Sequence, residues 1–402
     1  MADFGGGDLE AFRAEVRDWV AANFPPSCKG KGPAVGPDRA SETADQKAWR
    51  LAVGEKGWGV PTWPKAYGGG GLSPQEARVV TQEFGRAGAY NPIVGMGTMM
   101  FGPTLLEYGT EEQKTRHIPL IANGEVQWCQ GFSEPGAGSD LAALSTRAED
   151  KGDHFLVSGQ KIWTSGAQWA DWCFCLVRTD FTKKHEGISF VLFDMTTPGV
   201  EVRPIQLISG ASPFCETFLT DVKVPKENLV GPLNGGWTIA KRLLQHERNS
   251  LAGGGGSAGR FASGRAPAAL AKDYVGLDAQ GRIADGDLRT RIARNDIDLK
   301  AFQLTAMRAM VESRGNQGPS AATSIMKNAA SQTLQERAEL CIEILGSQGL
   351  GWEGEGFSQE ELTFVRNWLG GKATTIYGGS AEIQNNIISK RILGLPDATQ
   401  TK

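Results

Sequence analysis

The order of periodicities along the 402-residue chain predicts an α+β fold in which a β module sits between two helical bundles. Three observations carry this. Leu9, Phe12, Val16 and Val20 recur at three- and four-residue spacing near the start; short β-branched and aromatic runs fill the stretch from Val126 to Val230; helical spacing returns at Trp237. The predicted divisions are 1–125, 126–235 and 236–402, in keeping with a usual domain size of ~150 residues.

In the first part, Pro25 and Pro26 close the opening helix. After the loop GWGVPTWPKAYGGGGLS, the runs SPQEARVVTQEFGRAG and GTEEQKTRHIPLIANGE begin on Ser or Thr caps and end at Gly or Asn, as further helices of one bundle would. The central runs HFLVSGQKIWTS, DWCFCLVRTD, GISFVLFDM, GVEVRPI and ETFLTDVKVP are parted by Gly, Pro and Asp turns, the pattern of a small antiparallel barrel or sandwich. From Trp237 the helical pattern persists to the end, broken at Gly253 to Gly256, and the tail after Pro396 is short, polar and expected to fray.

Composition narrows the classes of function. Hydrophobic residues at 40% and charged residues at 22% suit a globular protein with a sizeable core. A net charge of −3 without a Lys/Arg-rich run offers nothing to nucleic acid or to an anionic membrane. No apolar run reaches the ~20 residues that span a bilayer, and MADFGGGDLEAF lacks both the basic start and the apolar core of an export signal. A cytoplasmic protein with reduced thiols is expected, its six cysteines scattered at 28, 129, 173, 175, 215 and 341 as small core residues without metal-ligand spacing.

The most informative stretch is WCQGFSEPGAGSD, residues 128–140, followed by GQKIWTSG, residues 159–166. A glycine-dense turn, hydroxyls at Ser133, Ser139 and Ser165, and the indole of Trp163 suit a flat heteroaromatic cofactor. Backbone N–H groups and hydroxyls can bond its polar edge while an indole covers one face. A second clue lies in GWTIAKRLLQHERNSLAGG, where Ala240, Leu243, Leu244 and Leu251 mark the apolar face of a helix and Glu247 falls on the same face. A carboxylate there is either one half of a buried ion pair or a base whose pKa desolvation has raised. His246 has no partner signature and reads as a surface or boundary residue. Near the C-terminus, in ATTIYGGSAEIQNNIISKRILGLP, Gly378 and Gly379 permit close approach of a ligand to bare backbone, and Ser380 can cap a helix whose N–H groups face a pyrophosphate. An ordinary loop-to-helix junction would read the same way.

Together with GWGVPTWPKAYGG, YGTEEQKTRHIPLIANGE, VPKENLVG, ILGSQGL and IYGGSAEIQ, these segments occur in order from about Asp8 to Pro396, and the chain resembles the acyl-CoA dehydrogenase family. The resemblance implies an all-helical N-terminal domain, a central β domain and a C-terminal four-helix bundle, with FAD held between the last two. It implies α,β-dehydrogenation of an acyl-CoA thioester, an electron-transfer flavoprotein as acceptor, and a homo- or hetero-tetramer. Carried over by position, Gln130, Phe132, Ser133, Trp163, Thr164 and Ser165 line the flavin, and Gly346, Ser380 and Glu382 touch its phosphates or ribityl chain, some across a subunit interface. Ser139, Arg248, Tyr377 and Gly379 fall to the substrate.

Three departures from the family pattern bear on function. Many members place the catalytic glutamate directly after the tyrosine of IYEGT; here that position is Gly378, whose N–H is left to bond the thioester oxygen, and Glu247 in HER matches the base of a minority of members. The region from Leu270 to Ala309 lacks the RxxFG segment, and Glu343 stands where many members carry a glutamine that bonds a neighbour's FAD pyrophosphate. These losses point to a heteromeric enzyme of the kind that acts on steroid side chains. Rival expectations are a family member with oxidase, desulfinase or monooxygenase chemistry, and a partner subunit that completes another chain's FAD site.

Overall fold

A computed structural model describes residues 6–252, 264–313 and 323–396, so the Gly253 to Gly256 run and the tail beyond Pro396 lie outside the described residues. The chain forms two compact units, one of Met1–Ile205 with Pro213–His246, the other of Gln206–Ser212 with Glu247–Lys402.

In the first unit the helices are α1 (Gly6–Asn23), α2 (Ala44–Glu55), α3 (Pro74–Ala87), α4 (Gly102–Tyr108) and α5 (Glu111–Ala122). Thr43, Ser73 and Thr110 each open a helix with a reciprocal capping box to Gln46, Glu76 and Gln113, which satisfies N–H groups that the first turn leaves unpaired. The apolar stripe read from α1 is the one that buries: Val16 and Val20 pack with Trp49, Val53, Trp58, Val79 and Phe84. Beneath it Glu83, 2% exposed, accepts Arg13 Nη1 at 2.7 Å and Arg86 Nη1 at 2.6 Å.

The strands are β1 (Trp128–Gly131), β2 (Arg147–Asp150), β3 (His154–Ser165), β4 (Trp172–Arg178), β5 (Ile188–Asp194), β6 (Val200–Ile205), β7 (Phe214–Pro225) and β8 (Leu229–Val230). They form one sheet in the order β6-β7-β3-β2-β4-β5-β8, with β1 paired to β4 off this path. Pairing is antiparallel except that β1 and β2 both run parallel to β4, so the sheet is mixed where an antiparallel module was expected. The short strands β1 and β2 carry too few residues for a period-two signal. Phe101 of the N-terminal helices stacks on Phe174 of β4, which stacks on Phe190 of β5, at interplanar angles of 5° and 2°. The same core takes in Ile239, Ala240 and Leu243 from helix α6 (Gly236–Ala252).

The second unit holds α7 (Pro267–Tyr274), α8 (Gly286–Ser313), α9 (Thr323–Leu345), α10 (Gln359–Gly371) and α11 (Ala381–Ile387). Leu270, Leu288, Ile292, Leu340, Ile344 and Phe364 form its core. Beyond the break expected at Gly253 to Gly256, the helical pattern is interrupted again between α7 and α8 by an antiparallel bridge, Leu277↔Ile283. Gly276 and Gly281 there adopt φ of 85° and 73°, and the Asp278 carboxylate accepts the N–H groups of Gln280 and Arg282 at 2.9 Å each, a turn chemistry that overrides helix propensity. All six cysteines are free and buried, as read. Among the described residues no helix is long and apolar enough to cross a membrane.

Candidate active site

β1 and β2 follow one another along a single edge of β4: Trp128 to Gly131 pair with Trp172 to Cys175, and Arg147 pairs with Arg178. Residues 132–146 therefore leave the sheet between two pairings to the same strand, and FSEPGAGSD opens that excursion. Its turn closes where Glu134 and Ala137 exchange N–H···O bonds of 3.0 Å in both directions. Gly131 is required by contact, since a Cβ there would lie 2.9 Å from Cys175 Sγ. Ser139 beyond the turn is exposed.

The two motifs are joined by an ion pair that the sequence reading did not single out. Lys161, 1% exposed, places Nζ 2.8 Å from Glu134 Oε1 and 3.2 Å from the Phe132 carbonyl. Glu134 also accepts the N–H groups of Ser145 at 2.6 Å and Thr146 at 2.9 Å, and the Ser145 hydroxyl at 2.8 Å. Burial alone would raise the Glu134 pKa. The Lys161 charge and the bonds from Lys161, Thr146 and Ser145 outweigh it and hold the carboxyl at about 2. The available signal was parity: from Phe155 and Val157, the inward alternation of β3 runs on to Lys161, and a buried lysine demands an acid. Arg178, 5% exposed, was missed as well; it binds the carbonyls of Ala142, Leu144, Lys183 and Lys184 and so fixes the return of the excursion.

Between Lys161 and Thr164 the register of β3 slips by one residue against β7. Trp163, in the slip, has φ of 60° and is 53% exposed, while Thr164 is fully buried. A left-handed tryptophan is strained by ~1–3 kcal/mol, and such strain gathers at functional sites. Thr164 Oγ1 is buried with no hydrogen-bond partner among the described residues. Ile162 N–H bonds the Ser133 carbonyl at 2.9 Å, so the unit brings Gln130, Phe132 and Ser133 beside Trp163, Thr164 and Ser165. An outward indole, flanking hydroxyls and an unpartnered threonine oxygen fit the edge and face of a flavin.

α6 carries the proposed base. Ahead of it, Arg242 and His246 approach Glu107 of α4, Nη2 of Arg242 at 2.7 Å and Nε2 of His246 at 3.2 Å from Oε1, the latter outside hydrogen-bond geometry. His246 is half-buried, the boundary residue that was read; burial and then Arg242 lower its pKa against the opposing Glu107. Glu247 and Arg248 follow within the same helix, and their side chains lie outside the described residues.

In the second unit Ser380 caps α11, with Ile383 N–H 3.4 Å from its Oγ, and Glu382 is exposed in the first turn. Gly378 and Gly379 take φ of 64° and 85°, a pair of left-handed residues that side chains disfavour. Gln384 orients this loop by donating Nε2 to the Gly378 carbonyl at 2.9 Å; Tyr377 beside it is half-buried. Ser331 and Gln335 of α9 bind the carbonyls of Thr374, Gly371 and Lys372. Gly346, φ 56°, ends α9 some eleven residues further on, roughly 16 Å along the axis, so the structure does not bring it to Ser380 and Glu382. Glu343 is held by Arg291 in a two-bond fork of 2.7 and 2.6 Å.

Family models for the acyl-CoA dehydrogenase N-terminal, middle and C-terminal domains match residues 7–125, 129–222 and 234–393. The chain belongs to the acyl-CoA dehydrogenase family. It is an oxidoreductase of that family with its fold. Acyl-CoA dehydrogenase IpdE1 of Mycolicibacterium smegmatis is 36% identical over 97% of this chain and 98% of its own length. Glutaryl-CoA dehydrogenase of Desulfococcus multivorans is 32% identical over 98% of each. Among solved structures, the ChsE4-ChsE5 complex from Mycobacterium tuberculosis matches with a TM-score of 0.75 and 31% identity, covering 99% of this chain and 100% of that one. The Tcur3481-Tcur3483 steroid ACAD matches at 0.75 and 31%, covering 98% of both.

Proposed function

We propose that this acyl-CoA dehydrogenase binds FAD and converts an acyl-CoA thioester to the trans-2-enoyl-CoA, with Glu247 as the base. The observation that carries the reading is the outward, left-handed Trp163 beside the unpartnered Thr164 hydroxyl, in the two segments that match the family's flavin-binding motifs. Gln130, Phe132, Ser133, Trp163, Thr164 and Ser165 hold the flavin, and Gly346, Ser380 and Glu382 serve its ribityl and phosphate portion, some of them across a subunit interface. Bound FAD supplies the acceptor for the β-hydride. Ser139, Arg248, Tyr377 and Gly379 hold the substrate, and the Gly378 N–H bonds the thioester oxygen, a contact worth roughly 3 kcal/mol as enolate character develops. Glu247 takes the α-proton, a role the IYGG loop has no carboxylate to fill. The electrons pass on to an electron-transfer flavoprotein.

Glu247→Gln tests this. The variant is expected to retain FAD but to lose bleaching of its absorbance by substrate under anaerobic conditions, by roughly 10²–10⁴-fold in rate. Full bleaching at the wild-type rate removes Glu247 from the role.

A second reading, a subunit of a heteromeric dehydrogenase for bulky or steroid side-chain CoA esters, is supported by the fork from Arg291 to Glu343. A carboxylate engaged by a guanidinium has no N–H to offer the FAD pyrophosphate as a glutamine would, which favours a partner chain that supplies this contact. The two solved matches, one a complex of two chains and one a steroid ACAD, are consistent with it. FAD content measured with and without co-expressed partner chains separates the readings.

A further inference from the structure

Among the described residues Lys161, 1% exposed, is the most deeply buried charged side chain of the first unit's sheet, and the dehydrogenation chemistry makes no use of it. Its ammonium lies under the excursion of residues 132–146, bonded to Glu134 Oε1 at 2.8 Å and to the Phe132 carbonyl at 3.2 Å. A buried pair is weak evidence for stability, because desolvation of both ions offsets much of their attraction. What this pair does have is location. One end joins the carbonyl of Phe132; the other, through Glu134, takes both N–H groups at Ser145 and Thr146, where the chain returns to the sheet. Both ends of the motif loop are thereby referenced to β3 at the residue immediately before the slip that exposes Trp163.

The Phe132 carbonyl shares its peptide with the Ser133 N–H. A cation on the oxygen of a peptide polarises it and strengthens the N–H as a donor. We propose that Lys161 is a positioning residue for the flavin: paired with Glu134, it fixes the Phe132–Ser133 peptide and polarises its N–H toward the flavin edge that Ser133 lines. The inference rests on the flavin reading above. It predicts two separable effects, on affinity through placement of the loop and on reduction potential through the strengthened donor, since a donor on the flavin edge favours the more electron-rich reduced form.

The test uses the purified wild type and the variants K161M, E134Q, K161M/E134Q and K161R, stripped of flavin and titrated with FAD. Thermal unfolding is followed on the stripped proteins, and the potential of the reloaded flavin by dye equilibration. The single variants K161M and E134Q each strand a charge or an acceptor and melt lower. The double variant has no unpaired ion and regains most of the melting temperature, yet binds FAD at least tenfold more weakly. Its flavin is harder to reduce, by about tenfold in the ratio of reduced to oxidised form at fixed potential, or ~30 mV for a two-electron couple. K161R, which keeps charge and donors, returns the potential toward wild type. A double variant that matches wild type in both FAD affinity and potential overturns the inference and leaves the pair a folding element only. Should the double variant fail to fold, K161M with wild-type FAD affinity and an unshifted potential overturns it equally. A wild-type chain that takes up no FAD under any of these conditions overturns the flavin reading itself, which the variant comparison does not touch.

Discussion

Arg242 grips Glu107 through two nitrogens, Nη2 2.7 Å from Oε1 and Nε 2.7 Å from Oε2, and so anchors α6 to α4 just ahead of Glu247. Both side chains are more than a third exposed, which limits the pair to ~0.2–1 kcal/mol of stability. If Glu247 is the base, the value of this anchor is directional, because a base displaced by about 1 Å can lose up to ~10²-fold in rate. Glu107→Gln is therefore expected to leave FAD content and melting nearly unchanged while slowing anaerobic flavin bleaching roughly tenfold. An unchanged rate in stopped flow removes the link between this anchor and the base.

Trp163→Gly separates structure from function at one residue. Glycine relieves the left-handed strain of ~1–3 kcal/mol, which offsets the lost edge contact with Phe214 at 6.1 Å, itself worth ~0.5–1.5 kcal/mol. The flavin-stripped variant should unfold in urea within about 1 kcal/mol of wild type, and FAD should bind about tenfold or more weakly. A loss of the ~3–5 kcal/mol usual for deleting a core aromatic would show that the indole is structural.

Acid should act in two stages. His117 is buried against Trp128 and Trp172; burial, with a smaller contribution from Arg116, lowers its pKa from 6.5 to about 4. Between those values the unfolded chain binds a proton that the folded one refuses, so stability falls as pH drops from 6.5 toward 4, by at most ~3 kcal/mol. Glu134, held from 4.5 down to about 2, contributes stability that is present above pH 4.5 and lost as pH falls toward 2. Nε2 of His117 has no partner among the described residues, so His117→Phe forfeits no hydrogen bond and should abolish the first stage alone. Urea unfolding at pH 7, 5.5 and 4.5 checks it: the advantage of the variant must grow as pH falls.

Gln384→Leu removes the donor that orients the Gly378 carbonyl. A single hydrogen bond of this kind contributes ~0.5–1.5 kcal/mol, so melting should fall slightly. If the IYGG loop holds the thioester, substrate affinity and bleaching rate should fall together while FAD content stays constant, which titration of the holoprotein with an acyl-CoA would read.

The helices of the N-terminal part were legible because their signals are local. Capping boxes at Ser73 and Thr110, and the stripe of Val16 and Val20, need only a few neighbouring residues to declare themselves. Also legible were five of the eight strands and the motif that carries the candidate flavin edge. The short strands β1 and β2 were not, since four residues each give no period and their partner β4 is far along the chain. Glu134 and Lys161 stood in the motifs in plain view, but nothing local says that their side chains turn inward and meet.

By itself the sequence determined the helix, strand, helix order and the residue types at the candidate flavin edge, because propensity, capping and motif spacing act over short stretches. Only the tertiary structure decided which way those residues face. Strict alternation from Phe155 would send Trp163 inward; one extra residue of β3 against β7 turns it out and buries Thr164 instead. A register is a property of two strands paired across more than fifty residues of chain, and the choice is made where both their cores close.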